Sequence, residues 1–310
     1  MMHPPRLNRL LLFVFALTFP ALLCLRPLSA APSGPLLLDA TQLEDGTIVA
    51  VGGDGLILRS TTADPNWARA NTPHGPTLCG VSFVDSRTGF AVGHNGVILR
   101  SDDGGANWSP ARRTRERIPT LLDVLALDAR HAIAVGAEGA YYQTHDSGRT
   151  WRRSRPSETN AHLNRIVRSS QGTLFIAGEN GVLLRSRDKG GTWEQLEADP
   201  TTSYFGVLPL TDGALLAYGL HGRVFRSEDE GDSWQSVPTG TEVILLTGLQ
   251  LPDQTIVLAG QSRTCLVSRD GGRSFQRVQL EIPGTAKLLP GESREVLSFG
   301  EGGVVRIRVP

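Results

Sequence analysis

From residue 36 to the C-terminus the chain is written in short apolar runs, each closed by glycine or by an acidic turn. Within 78–111, the runs Leu78–Val84, Gly89–Val92 and Val97–Arg100 and the residues from Trp108 onward read as short antiparallel strands. Their apolar positions run together instead of alternating, as expected where both faces of a sheet are covered. The pattern then repeats. A segment close to Ala-Val-Gly-x-x-Gly-x-x-Leu-Arg places its first glycine at Gly52, Gly93, Gly136, Gly178, Gly219, Gly260 and Gly300, in steps of 41, 43, 42, 41, 41 and 40 residues. A fixed period of this length, carried by short strands and Gly-rich turns, predicts an all-β fold: a seven-bladed β-propeller with one repeat per blade.

A second motif links each third strand to the outer one. It reads Ser-x-Asp-x-Gly-x-x-Trp at 101–108, 186–193 and 227–234, with Thr144 opening the copy at 144–151 and Phe275 closing the one at 268–275. Its acid (Asp103, Asp146, Asp188, Asp229, Asp270) accepts backbone N–H bonds inside the turn, and its glycine relieves backbone strain. Its aromatic residue (Trp108, Trp151, Trp193, Trp234, Phe275) buries a large ring against the next blade. A role repeated around a ring is structural, so these carboxylates are read neither as calcium ligands nor as catalytic groups. Between the second and third strands, Gly93–Gly96 and Gly178–Gly181 supply residues able to take positive φ. The first unit keeps Trp67 without the spacing of the turn, and the seventh ends at Val304–Val309 with no turn at all. The seventh blade is therefore expected to lack its outer strand and to close by packing against residues 36–43 or on a strand not evident in the sequence.

Ahead of the repeats, Arg6 and Arg9 precede an apolar run from Leu10 to Leu25, followed by Ser29, Ala30 and Ala31. The run is shorter than a bilayer span and contains Pro20, so residues 1–30 read as a secretory signal peptide, with a retained anchor or a lipidated Cys24 as the lesser alternatives. Residues 31–310 form the single propeller domain. The full chain balances 31 basic against 31 acidic residues, and residues 1–30 hold three arginines and no acid, which leaves 28 against 31. This mildly acidic remainder offers no global field for nucleic acid. Of the cysteines, Cys79 and Cys265 belong to well-separated blades and read as buried small apolar residues without a disulfide.

The Ser-x-Asp-x-Gly-x-x-Trp turns resemble Asp-box (BNR) repeats, and their combination with the Ala-Val-Gly-x-x-Gly-x-x-Leu-Arg segment resembles the photosystem II stability/assembly factor family, from about residue 36 to the end. That resemblance implies a non-enzymatic propeller outside the cytoplasm that helps membrane-protein complexes assemble, in non-photosynthetic bacteria envelope proteins and exporters. Asp-box propellers also include glycoside hydrolases, so a carbohydrate-active propeller, lectin or glycosidase, is the alternative. The Glu116-Arg-Ile-Pro119 fragment lacks the aromatic of a sialidase motif and falls after the second turn. A glycosidase needs two carboxylates about 5 to 10 Å apart; Asp85, Asp123 and Asp128 qualify by type alone. The histidines at 74, 94, 131, 145, 162 and 221 show no metal-ligand spacing. His94 and His221 occupy equivalent turns.

The departure from a bland surface is a run of arginines, Arg112, Arg113, Arg115, Arg117, Arg149, Arg152, Arg153 and Arg155, which brackets the third unit. Guanidinium groups gathered on one sector of a net-acidic disc suit carboxylate or phosphate contacts and are read as the partner-binding site. A second set, Arg59, Arg100, Arg185 and Arg226, recurs at one point of the third strand and reads as architectural. The resulting expectation is a monomeric, periplasmic, protein-binding scaffold for an envelope or membrane complex, with no catalytic residues, no cofactor, no metal, no nucleic acid and no small-molecule substrate. N-terminal sequencing of exported protein is expected to show cleavage after Ala30 or Ala31; recovery of an intact Met1 chain embedded in membrane would overturn the assignment.

Overall fold

The computed structural model describes residues 34–61, 64–111, 118–279, 284–292 and 294–310; the proposed signal peptide, Cys24, Glu116 and Arg112, Arg113, Arg115 and Arg117 lie outside them. Seven antiparallel sheets form, six of four strands and a last one of three, each built from consecutive strands. Blade two shows the plan, with strands Leu78–Phe83, Gly89–Gly93, Ile98–Ser101 and Ser109–Pro110 in order from the axis outward. The second strand is buried along its whole length in every four-stranded blade, as in Thr47–Gly52 and Ile256–Gly260, because neighbouring blades cover both its faces.

The repeat glycines serve close approach, not a special dihedral. Gly93 is extended at φ −175°, but a Cβ there would lie 2.1 Å from the Thr77 carbonyl oxygen, where the chain passes into the inner strand. Positive φ falls two positions later in the turn, at Asn95 and Gly96.

The acidic turns form one hydrogen-bond pattern five times over. In blade four the Ser186 hydroxyl donates to Asp188 Oδ1 at 2.8 Å and accepts the Gly190 N–H at 2.8 Å. The other donors to Asp188 are the Thr192 N–H and hydroxyl, both at 2.8 Å. The same bonds recur around Asp103, Asp146, Asp229 and Asp270. Hydrogen bonds from Thr192 hold the Asp188 carboxyl down at about 2, and those from Ser233 do the same to Asp229.

The rings that close these turns face the preceding blade, not the next one. Trp151 packs edge-on to Phe90 of blade two with centroids 5.7 Å apart, and Trp193 packs likewise on Tyr141 of blade three at 5.9 Å. The direction follows from the turn, which folds back beneath the neighbour it follows in sequence. Trp108 and Trp151 are buried, but Trp193 and Trp234 are only half-buried. Both cysteines are free; Cys265 is buried and Cys79 half-buried, and burial pushes both thiols up to about 12.

The second arginine set reaches the other way. Arg59 Nε donates to the Gly104 carbonyl at 2.9 Å, Arg185 Nη1 to the Glu230 carbonyl at 2.7 Å and Arg226 Nε to the Gly271 carbonyl at 2.8 Å, while Arg100 reaches the Ser147 carbonyl. Each accepting carbonyl belongs to the acidic turn of the following blade. In blade three Gln143 stands at this point and donates to the Gly190 carbonyl at 2.9 Å. In blade six the point is Val267, and blade seven has no turn to receive a bond.

Closure uses residues 36–43, as one of the two expected alternatives had it: Leu37–Gln42 is the inner strand of blade one. Leu37, Ala40 and Ile48 bury against Leu289, Leu297 and Phe299 of blade seven, and Trp67 packs edge-on to Phe299 at 5.9 Å. In denaturant unfolding, Trp151→Ala should cost about 3 to 5 kcal/mol through the cavity it opens, and Asp188→Ala about 1 to 2 kcal/mol through unmet turn amides. Since the turn carboxyls titrate lower in the fold than unfolded, their stabilisation is present above pH 4 and should be lost as pH falls from about 4 to about 2; flat stability across that window would contradict the hydrogen-bond assignment.

Candidate functional site

Each inner strand carries a bulge between its first and third residues. A bulge re-aims the side chain that follows it, and here the re-aimed residues are Asp39, Gly80, Asp123, Arg165, Gly206, Thr247 and Lys287, one per blade. Four of them, Asp39, Asp123, Arg165 and Lys287, meet at the axis of the ring. Arg165 Nη1 of blade four lies 3.2 Å from Asp39 Oδ1 of blade one and 3.6 Å from Asp123 Oδ1 of blade three. Lys287 Nζ of blade seven lies 3.0 Å from Asp39 Oδ1.

The acceptors among these side chains also staple the next blade. Asp39 Oδ2 accepts the Val81 N–H at 3.0 Å, Asp123 Oδ2 the Ile166 N–H at 2.9 Å and Thr247 Oγ1 the Leu288 N–H at 3.3 Å. All three amides belong to the residue after the axial position. Where blade five has Gly206, the Tyr218 hydroxyl occupies the space, 2.3 Å from where a Cβ would stand. Gly80 is required for a similar reason, since its Cβ would lie 2.8 Å from the Asp123 Cα.

Asp39 and Asp123 are 1% and 3% exposed. Burial pushes the Asp123 carboxyl up, to about 6, against the opposing pull of Arg165. For Asp39 the same burial is outweighed by Lys287 and Arg165, and its carboxyl sits below the ordinary value. Both acids hold the Arg165 guanidinium in its charged form against the penalty of burial. Two acids and two bases cancel, and the carboxylates are committed to cations and amides, so this arrangement ties blades together and presents no free acid–base pair.

The other acids considered for hydrolysis are turn acceptors. Asp85 takes the Thr88 and Arg87 amides at 2.6 and 2.8 Å, and Asp128 those of Arg130 and His131 at 2.8 and 2.9 Å. His94 and His221 are exposed at their turns. His131 and His145 stack with centroids 4.2 Å apart, a pairing that their sequence spacing did not indicate. Among the described residues no group of three His, Cys, Asp or Glu side chains converges as a metal site.

Of the arginine sector, Arg149, Arg152, Arg153 and Arg155 are described, and all are exposed at the outer edge of blade three. Arg152–Arg153 is the outer strand itself, paired with Tyr142 and Gln143 of Tyr141–Thr144. Sequence reading passed over the axial ring apart from Asp123. Its signal was present: each member stands thirteen residues before a repeat glycine, from Asp39 before Gly52 to Lys287 before Gly300.

Residues 114–241 match the family model described as photosynthesis system II assembly factor YCF48. Among solved structures, the chain is similar to YCF48 bound to D1 peptide, at 21% identity and TM-score 0.73, covering 90% of this chain and 95% of that one. YCF48 from Cyanidioschyzon merolae gives 17% identity and TM-score 0.71 over 89% of this chain and 97% of that one. A GH74 xyloglucanase from Xanthomonas campestris gives 12% identity and TM-score 0.73 over 90% of this chain but 52% of the enzyme. No curated protein matches the chain in sequence. At these identities the structural likenesses establish a shared fold.

Replacing Arg165 by Met should destabilise the protein by about 3 to 5 kcal/mol, because two buried carboxylates lose their shared cation. With its folded pKa above the unfolded one, Asp123 should add stability as pH falls from about 6 to about 4, on the order of 1 to 3 kcal/mol. Asp123→Asn should remove that gain in pH-dependent unfolding; an unchanged pH profile would contradict the assignment.

Proposed function

We propose that this chain, whose residues 114–241 match the YCF48 family model, is a non-enzymatic, exported protein-binding scaffold that assists assembly of a membrane or envelope protein complex. The match to the YCF48 family model carries this reading. It is supported by the way the candidate acids are used: Asp39 and Asp123 bridge buried cations and amides, and Asp85 and Asp128 cap turns. The solved relative that holds a D1 peptide is a propeller engaging a protein segment, and the same mode of use is proposed here. A glycosidase role has only the fold in its favour.

The contact surface in this reading is the arginine sector of blade three, Arg149, Arg152, Arg153 and Arg155 together with Arg112, Arg113, Arg115 and Arg117. Exposed guanidinium groups steer and orient a partner rich in carboxylates or phosphates, through a field screened over about 8 Å at physiological salt. Changing Arg149, Arg152, Arg153 and Arg155 to Glu should leave the unfolding midpoint nearly unchanged, since exposed charges contribute little to stability. Capture of membrane proteins from detergent-solubilised envelopes should drop about tenfold or more, and wild-type capture should weaken as salt rises. Equal, salt-independent capture by both proteins would move the interface elsewhere.

A further inference from the structure

The inner strands stand side by side all round the axis, Leu37–Gln42 adjoining both Leu78–Phe83 and Thr285–Pro290. In each of them the bulge leaves one residue without a partner in the register, immediately before the axial position. Six of these seven residues are apolar: Leu38, Cys79, Leu122, Phe205, Leu246 and Ala286. All six are half-buried, and among the described residues the apolar clusters between blades are built without them. The seventh, Asn164, shows where this level of the ring points, since its side-chain amide donates to the Tyr204 carbonyl, next to Phe205 of the following blade, at 2.8 Å. The bulges therefore set an apolar collar around the axis, one residue nearer the strand starts than the charged group of Asp39, Asp123, Arg165 and Lys287.

That end of the inner strands lies on the face of the disc that carries the turns between second and third strands. The first residue of each turn donates its N–H to a carbonyl two places before the collar: Gly53 to Leu36 at 3.0 Å, and His94 to Thr77, Ala137 to Thr120 and Glu179 to His162 at 2.9 Å. Acids dominate these turns. They carry Asp54, Glu138, Glu179 and Glu301 against one arginine, Arg263. Asp54 and Glu138 are exposed, and Glu179 lies 3.5 Å from His162 Nδ1. An apolar ring with an acidic rim complements an apolar side chain carried between cations.

We propose that the axial mouth on this face docks a basic segment of the partner protein: an apolar side chain enters the collar while lysines or arginines on either side of it meet Asp54, Glu138, Glu179 and Glu301. Charge selects this occupant. An acidic segment would meet like charge at the rim, and a purely polar one would leave the collar unfilled. The inference rests on the protein-binding reading above and gives it a second contact, in which the arginine sector holds an acidic part of the partner at the outer edge of blade three and the mouth holds a basic part at the axis.

The probe is a fluorescein-labelled peptide with leucine and phenylalanine between two pairs of lysines, read by anisotropy against the purified protein. One control peptide has glutamate for every lysine, and another has serine for both apolar residues. Phe205→Gln should weaken binding about tenfold or more. The double variant Asp54→Asn, Glu138→Gln should weaken it about threefold or more and flatten its salt dependence. Melting temperatures should stay close to wild type, because these side chains stand outside the clusters between blades. Should Phe205→Gln fail to fold, the double variant decides, since both of its positions are exposed. Absence of binding at about 1 mM peptide, undiminished binding by the variants, or equal binding of either control peptide would overturn the proposal. Capture of an envelope partner undiminished by both variants would sink this inference and leave the scaffold function standing; peptide binding by a protein that captures no partner would do the reverse.

Discussion

Each blade buries its two faces only when a neighbour stands against both, and everything else in this ring follows from satisfying that requirement seven times. The strand pairs within a blade are local, but the second strand is apolar on both sides and has no stable existence alone. Three kinds of tie join neighbouring blades at different distances from the axis. Near the axis a bulged side chain of blades one, three and six caps the next blade's amide. Farther out an arginine or glutamine grips the next blade's acidic turn, and the ring of that turn packs back onto the preceding blade. The ties run in opposite senses along the sequence, so neither blade of a pair can rotate without breaking one of them.

The turn grip is lost on both sides of blade seven. Blade seven has no acidic turn for Val267 of blade six to grip, and at the boundary between blade seven and blade one the turn is reduced to Trp67. Closure there depends on apolar burial around Phe299 and Trp67 and on the Lys287–Asp39 pair at the axis. A polar tie has thus been exchanged for a hydrophobic one. At the axis the charges of two acids and two bases cancel, and the carboxylates carry structural bonds.

The amino-acid sequence by itself determined the number of blades, the strand order within each and the acidic turns. Those features rest on contacts between residues a few positions apart, such as Ser186, Asp188, Gly190 and Thr192, so their spacing is written directly in the chain. It also set the second arginine set apart as architectural, because repetition at a fixed offset is visible without coordinates. Tertiary structure alone decided that Arg165 meets Asp39 across 126 positions and that the turn rings face backward. The axial residues differ in type from blade to blade, Asp beside Gly beside Arg, so a motif search passes over them. Their partnership exists only because closure of the ring brings distant chain segments within a few ångströms of one axis, where unpaired charge is too costly to leave uncompensated.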